Sequence, residues 1–277
     1  MLLVRSSSGI LHDDSMSEFV KRYNPHRHSD WNYGGKNWKL SRSKIELYIE
    51  CPRCFYLDNK LGTKRPGFPS FTLNIAVDEL FKKEFDAYRA QQKPHPIMDK
   101  YSIKALPYQH SELDTWRDPF VGLQYTHEAT GLIVSGGVDD VWINPDGELI
   151  VVDYKATSKT KHITTLADSS WESSYRRQLG VYQWLLMQMG YPVAKTGYFV
   201  YANARQDVPS FENKLEFDTT LVPCQGDTDW IDDTVNEIKV CLESDHYPPS
   251  GPACEYCQYR EASGKKLQAI HAKNTSK

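Results

Sequence analysis

The order of apolar and polar positions divides the chain into stretches of different period. Residues 1–38 are polar, rich in Ser, Asn, His and Asp, and hold no sustained period, so they read as a flexible N-terminal extension. Over residues 41–57, Ile45, Tyr48, Ile49 and Phe55 recur near helical spacing, with Ser41 placed to cap and Pro52 interrupting. Residues 62–70 carry Gly and Pro and read as a linker. Residues 73–88 then give an amphipathic helix with Leu73, Val77, Leu80, Phe81, Phe85 and Tyr88 on one face. Residues 93–119, with four prolines and no period, read as an irregular excursion.

Between residues 121 and 155 the period shortens to that of strands. Segments 121–127, 132–143 and 148–155, bounded by Thr130-Gly131 and Asn144-Pro145-Asp146-Gly147, predict a three-stranded meander. Its last strand, Leu149-Ile150-Val151-Val152, is apolar on both faces, which suits a sheet covered on both sides. A helix follows over 175–189, with Leu179, Tyr182, Leu185, Leu186 and Met189 inward and Gly190 as its stop. Strands over 197–202 and 215–222, a helix over 230–242 and a basic, disordered tail over 263–277 complete the pattern. The expected architecture is α/β, a mixed sheet flanked by helices, with one domain over residues 39–262.

Composition changes this picture little. With 40% hydrophobic residues, 17 Tyr, 10 Phe and 7 Trp, the chain holds enough bulk for a packed core. No apolar run reaches the roughly 18 residues of a membrane helix, and the start MLLVRSSSGILHDDS lacks the pattern of a secretory signal. A cytoplasmic location is the expectation. The 33 Lys+Arg against 36 Asp+Glu give a formal charge of −3, which excludes coating nucleic acid by charge alone but leaves room for a local basic groove.

Candidate chemistry begins at Asp153-Tyr154-Lys155, where strand alternation puts Asp153 and Lys155 on one face. Asn-Pro-Asp-Gly favours a type I turn with Gly147 left-handed, a three-residue loop that pairs Asn144 with Glu148. Counting back sets Asp139 opposite Asp153. A two-residue turn would instead bring Asp140 to that face, so Asp139 is the favoured ligand and Asp140 the reserve. Two facing carboxylates are costly unless a cation sits between them. Mg²⁺ suits one or two carboxylates plus substrate phosphate, and Lys155 nearby would stabilise charge developing on that phosphate. Gln178 and Tyr182, four residues apart, share a helix face, and Arg176 and Arg177 precede them as phosphate candidates.

Cys51-Pro52-Arg53-Cys54 and Cys254-Glu255-Tyr256-Cys257 form two C-x-x-C units. Each can bite one metal with two sulfurs, and together they complete four-coordination. Against that stand a redox pair, a disulfide, or four unrelated buried thiols. Cys224 and Cys241 read as small packing residues.

In order, Gly136-Gly137-Val138-Asp139, Val152-Asp153-Tyr154-Lys155 and Gln178-Leu179-Gly180-Val181-Tyr182 resemble the three motifs of the RecB-like branch of the PD-(D/E)XK nuclease superfamily. The resemblance spans residues 41–260. It implies a restriction-endonuclease-like core of helix, three-strand meander, helix and strand, clasped at its ends by cysteines. It also implies Mg²⁺ or Mn²⁺ held by Asp139 and Asp153, Lys155 assisting hydrolysis of DNA, and Gln178 and Tyr182 positioning substrate and lysine. Where members of that branch carry a metal-binding His on the preceding helix, this chain has Asp78, a further ligand or else a solvated helical acid.

AddB-type repair subunits and CRISPR-associated adaptation nucleases are similar in holding an iron–sulfur cluster with cysteines from both ends of the domain. Their pattern is one early and three late, against two and two here, so zinc stands beside the cluster. The implied partners are DNA with single-stranded ends and a helicase or another repair or adaptation protein, since the sequence has no phosphate-loop motif. The rival readings are a catalytically inactive nucleic-acid-binding module of the same fold, and a thiol-redox protein using Cys51 and Cys54.

Overall fold

A computed structural model describes residues 24–67, 71–160, 163–166 and 169–275. In chain order the elements are β1 (Leu40–Ser41), α1 (Arg42–Glu50), α2 (Pro52–Asn59), α3 (Thr72–Gln91), α4 (Pro96–Lys100), β2 (Leu106–Pro107), α5 (Leu113–Arg117) and β3 (Leu123–Thr126). Then come β4 (Ile133–Gly136), β5 (Asp140–Ile143), β6 (Leu149–Thr157), α6 (Ser170–Gln188), β7 (Thr196–Ala204), β8 (Phe217–Gln225), α7 (Ile231–Glu243) and α8 (Glu255–Thr275).

The main sheet has five strands in the order β2-β5-β6-β7-β8. The apolar strand β6 lies at its centre, antiparallel to β5 and parallel to β7. Its two faces feed two separate cores, as its doubly apolar sequence requires. Leu149 and Val151 pack with Val141, Phe199 and the α6 residues Leu179, Tyr182 and Leu185. Ile150, Val152 and Tyr154 pack with Trp142 and the α3 residues Phe81 and Phe85. No described helix is long and apolar enough to cross a membrane.

The predicted meander is corrected in its second strand, which breaks in two. β4 joins β1 and β3 in a small sheet of its own, while β5 joins the main sheet. Between them the backbone is claimed by the segment that had read as irregular: Val138 N–H donates to Trp116 C=O at 3.0 Å, and Arg117 Nε donates to Asp139 C=O at 3.0 Å. That segment is itself structured, as α4, β2 and α5, elements too short to leave a period.

Four further expectations change. Leu73 and Leu80 of α3 are exposed; the helix meets the sheet through Phe81, Phe85 and Arg89, and earlier through Val77 and through Asn74 Nδ2, which donates to Ala156 C=O of β6 at 3.0 Å. Of the extension expected over residues 1–38, residues 1–23 lie outside the described residues, while Tyr33 and Trp38 pack on the core and Trp38 Nε1 donates to Asn59 Oδ1 at 3.0 Å. The tail expected as disordered continues α8 as helix to Thr275. Ser41 precedes α1 but makes no side-chain cap bond.

The β5–β6 loop takes the three-residue form. Asn144 N–H donates to Glu148 C=O at 3.1 Å, and Gly147 sits at φ +83°, where a side chain is strained. Asn144 Oδ1 accepts from the N–H groups of Asp146 and Glu148, pinning the loop from inside. The register that follows pairs Asp140 with Val152, so Asp140 points to the α3 face. There it is fully buried and held by Arg89, by Arg117 Nη2 at 2.9 Å, and by the Tyr154 hydroxyl at 2.8 Å. Asp140 is therefore a structural anchor, and the reserve ligand reading for it is set aside. Replacing Asp140 by alanine removes the buried carboxylate that Arg89 and Arg117 share, leaves them only the partly exposed Asp86, and strips the Tyr154 hydroxyl and Trp142 indole of their acceptor. Urea denaturation is expected to register a loss of about 3–5 kcal/mol.

Candidate active site

The same register sets Asp139 opposite Asp153, on the face covered by α6. Asp153 is fully buried; its Oδ1 accepts from Gln178 Nε2 at 2.7 Å, and its Oδ2 faces the Lys155 ammonium. Gln178 Nε2 also donates to the Tyr182 hydroxyl at 3.1 Å, and Lys155 Nζ donates to Gln178 Oε1 at 3.3 Å. One amide thus ties the acid, the lysine and the phenol together. The Tyr175 ring lies 4.5 Å from Lys155 Nζ and holds the cation from the helix side.

Asp139 is reached differently, its Oδ2 accepting the Tyr154 backbone N–H at 2.9 Å. Burial, and next to it the Asp153 charge, push the Asp139 carboxyl well above the usual carboxylate range. For Lys155, burial works to lower the pKa, but Asp153 and Asp139 outweigh it and the ammonium stays charged. Asp139 and Tyr182 open onto a cavity of about 400 Å³ that Asp78, Lys82 and Arg42 also line. Asp78 Oδ2 is engaged by Lys82 Nζ at 2.7 Å, four residues on in α3.

The structure thus gathers Asp139, Asp153, Lys155, Gln178 and Tyr182 and places Asp78 across the cavity. Arg177, read as a phosphate candidate, is instead bound to Glu46 of α1, with Nε donating to Oε2 at 2.9 Å. Arg176 Nη2 donates to Leu166 C=O at 3.1 Å. Sequence reading missed Lys82, which follows Asp78 at i+4, a spacing that pairs opposite charges on a helix. It also missed Arg117, which sat in an aperiodic stretch and left no signal.

The donor set fits a hard divalent cation. The buried Asp153 and the half-buried Asp139 face each other beside a polar cavity, and apart from its ion pair with Lys155 the Asp153 Oδ2 has no partner among the described residues. A model of the PD-(D/E)XK nuclease superfamily matches residues 70–262. The chain belongs to that superfamily. Its α/β sheet with flanking helices is the restriction-endonuclease-like core, and the superfamily consists in general of nucleases that use a divalent metal. Among solved structures, the crystal structure of SSO0001 matches at 13% identity and a TM-score of 0.36, over 76% of this chain and 79% of that one. A search of curated proteins finds no match.

Away from the carboxylates, the superfamily domain is fastened by its cysteines. Cys51 ends α1 and caps α2, its sulfur accepting the Cys54 N–H at 3.5 Å and the Gly251 N–H at 3.2 Å. That approach needs glycine, since a Cβ on Gly251 would lie 2.0 Å from Glu50 O. Sγ separations are 3.8 Å for Cys51 and Cys257, 3.6 Å for Cys54 and Cys254, and 3.6 Å for Cys54 and Cys257. All four are buried and lie within 4.8 Å of one another, whereas Cys224 and Cys241 stay apart in the main core. Burial raises Cys54 and Cys257; at Cys51 burial is outweighed by the two N–H groups, and the thiol falls to about 6. The quartet fits a thiophilic metal.

The raised Asp139 carboxyl has a testable sign. Without divalent metal, the folded chain keeps a proton that the unfolded chain has already released above the ordinary carboxylate range. Stability therefore falls as pH rises through that window. Asp139→Asn removes this titration, so in metal-free buffer it is expected to melt above the wild type at pH 8 and to converge with it near pH 4. Thermal melts across that range check the slope.

Proposed function

We propose that the chain is a RecB-like, metal-dependent deoxyribonuclease, in which Asp139 and Asp153 hold Mg²⁺ or Mn²⁺ with Asp78 as a further ligand across the cavity. The observation that carries this is the register-opposed acid pair joined to Lys155 through Gln178. When bound, the metal supplies Lewis-acid polarisation of a phosphate oxygen and a lowered pKa for the attacking water. In the hydrolysis, a water oxygen bonds to phosphorus as that water loses a proton to solvent, the P–O ester bond breaks, and the leaving oxygen takes a proton back from solvent.

The residues divide that work by charge. Lys155 is held as a cation by the two acids, so its part is to donate to the attacking water and to the phosphate oxygens as charge develops, not to accept a proton. Gln178 fixes Asp153 and Lys155 in one geometry, and Tyr182 braces Gln178 from the next turn. The substrate on this reading is DNA with single-stranded ends, and a helicase or other repair or adaptation partner supplies any unwinding.

Incubating the protein with labelled single- and double-stranded DNA and Mg²⁺ or Mn²⁺ tests the reading. Cleavage is expected, and Asp153→Ala or Lys155→Ala should each lower it by at least about a hundredfold. Absence of cleavage by metal-loaded wild type would leave a binding module of the same fold.

For the cysteines we infer a single tetrahedral zinc in place of the iron–sulfur cluster that the resemblance implies. Zn–S bonds near 2.3 Å put tetrahedral sulfurs about 3.8 Å apart; three of the six separations are 3.6–3.8 Å and all lie within 4.8 Å, close enough for four sulfurs to share one ion. A cluster would interpose irons and sulfides and spread the sulfurs further. Four thiols drawn to one point also exceed what a two-thiol redox exchange uses. Elemental analysis is expected to return one zinc per chain in colourless protein. Iron with a visible charge-transfer band would overturn it.

A further inference from the structure

A second cavity, of about 460 Å³, lies against the first and shares Ser41, Pro119 and Ser135 with it. Arg27, Lys39, Lys44 and Lys64 line it, and no carboxylate does among the described residues. Arg27 is ion-paired with the buried Asp58 behind the lining, and with Lys39, Lys44 and Lys64 the cavity still carries a local excess of positive charge that a net charge of −3 conceals. Lys44 records the crowding: burial, and after it the Arg27 charge, lower its pKa to about 8.

Two aromatic side chains complete the lining. Trp31 is 46% exposed and Phe120 is 77% exposed. Both are presented by braced backbone. Trp31 ends a 3-10 turn over Ser29–Trp31, and Arg27 Nη1 donates to its C=O at 3.3 Å. The Phe120 loop is fixed by Asp118 Oδ1, which accepts the N–H of Phe120 at 2.7 Å and of Val121 at 2.9 Å. Lys39 Nζ donates to Phe120 C=O at 3.4 Å and closes the ring of residues. Exposed rings held in place among cations offer stacking faces beside phosphate sites, the combination that binds single strands without reading sequence.

We propose that this cavity is a binding groove for single-stranded DNA, with bases stacked on Trp31 and Phe120, phosphates on Lys39, Lys44 and Lys64, and the strand running over Ser41 and Ser135 toward Asp139. The proposal rests on the nuclease reading for its direction, but its residues are separate from that machinery. Trp31 and the four cations precede residue 70, where the superfamily match begins, whereas Pro119, Phe120 and Ser135 lie within it. The charge and one of the two rings thus come from the segment before the matched domain, and the other ring from the domain itself. Duplex DNA, whose bases are stacked internally, could engage the cations but not the rings.

Fluorescence anisotropy of the full chain with a labelled oligothymidylate, in buffer without added divalent metal, separates these contributions. Trp31→Ala and Phe120→Ala should each weaken single-strand binding about tenfold and leave binding of a blunt duplex unchanged, while Trp31→Phe restores it. Lys39→Ala and Lys64→Ala should each reduce the slope of log affinity against log salt by about 0.7. Unchanged single-strand binding in both alanine variants overturns the groove, as does an equal loss on duplex. Tighter binding of the matching RNA overturns the assignment to DNA. Adding Mn²⁺ distinguishes the two readings. Wild-type cleavage with normal binding by the ring variants sinks the groove alone; weakened binding by those variants without wild-type cleavage sinks the nuclease alone.

Discussion

Two consecutive aspartates on one short strand must face opposite ways, and the geometry of this protein depends on which one goes where. Asp140 is drawn to the α3 face by Arg89 and Arg117 and fixed there by the Tyr154 hydroxyl and the Trp142 indole. That commitment leaves Asp139 on the α6 face, opposite Asp153. A buried carboxylate between two guanidinium groups is worth little as raw stability against a well-packed apolar alternative, but it penalises every register that breaks it. The anchor therefore acts as a selector of register: a one-residue slip would take the shared buried carboxylate away from two arginines at once and leave both to Asp86.

The same clamp joins elements distant in sequence. Arg89 closes α3, Arg117 closes α5, and Asp86 receives Arg117 Nη1 at 3.0 Å, so the helix face, the short excursion and the sheet share one network. On the opposite face, Gln178 performs a lighter version of this task with neutral bonds. The two faces of β6 thus divide labour. Charge is fully compensated where the register is set, and left incompletely compensated around Asp139 and Asp153, which have one lysine between them.

Much of this was legible because it was local. The Asn-Pro-Asp-Gly turn fixes its own loop length, and loop length fixes the pairing, so the juxtaposition of Asp139 and Asp153 followed from four turn residues. The apolar strand, the helix carrying Gln178 and Tyr182, and the paired cysteines also announce themselves by period or spacing. What stayed hidden depends on contacts with no local trace. Residues 93–119 fold into pieces of five residues or fewer, whose pattern cannot be separated from loop. Trp38 and Tyr33 sit in a polar stretch whose order comes from packing against α2 and α7. Leu73 and Leu80 fit a helical stripe, yet both are exposed while Asn74 and Phe81 beside them meet β6. The match of the superfamily model to residues 70–262 starts beyond both Cys51 and Cys54, so half of the quartet lies outside it.

The cysteine clasp also bears on the order in which the protein can be made. Cys54 and Cys257 touch across 203 positions of chain, and closing so long a loop is entropically slow unless the intervening sheet forms first. During synthesis from the N-terminus, α2 would leave the ribosome long before its sulfur partners, with two thiols uncovered and no metal cage to enter. Only after the residues around Gly251 have seated against Glu50 are the four thiols gathered at one point. The quartet is therefore a completion mark, assembled last, that distinguishes a finished fold from one stalled before α8.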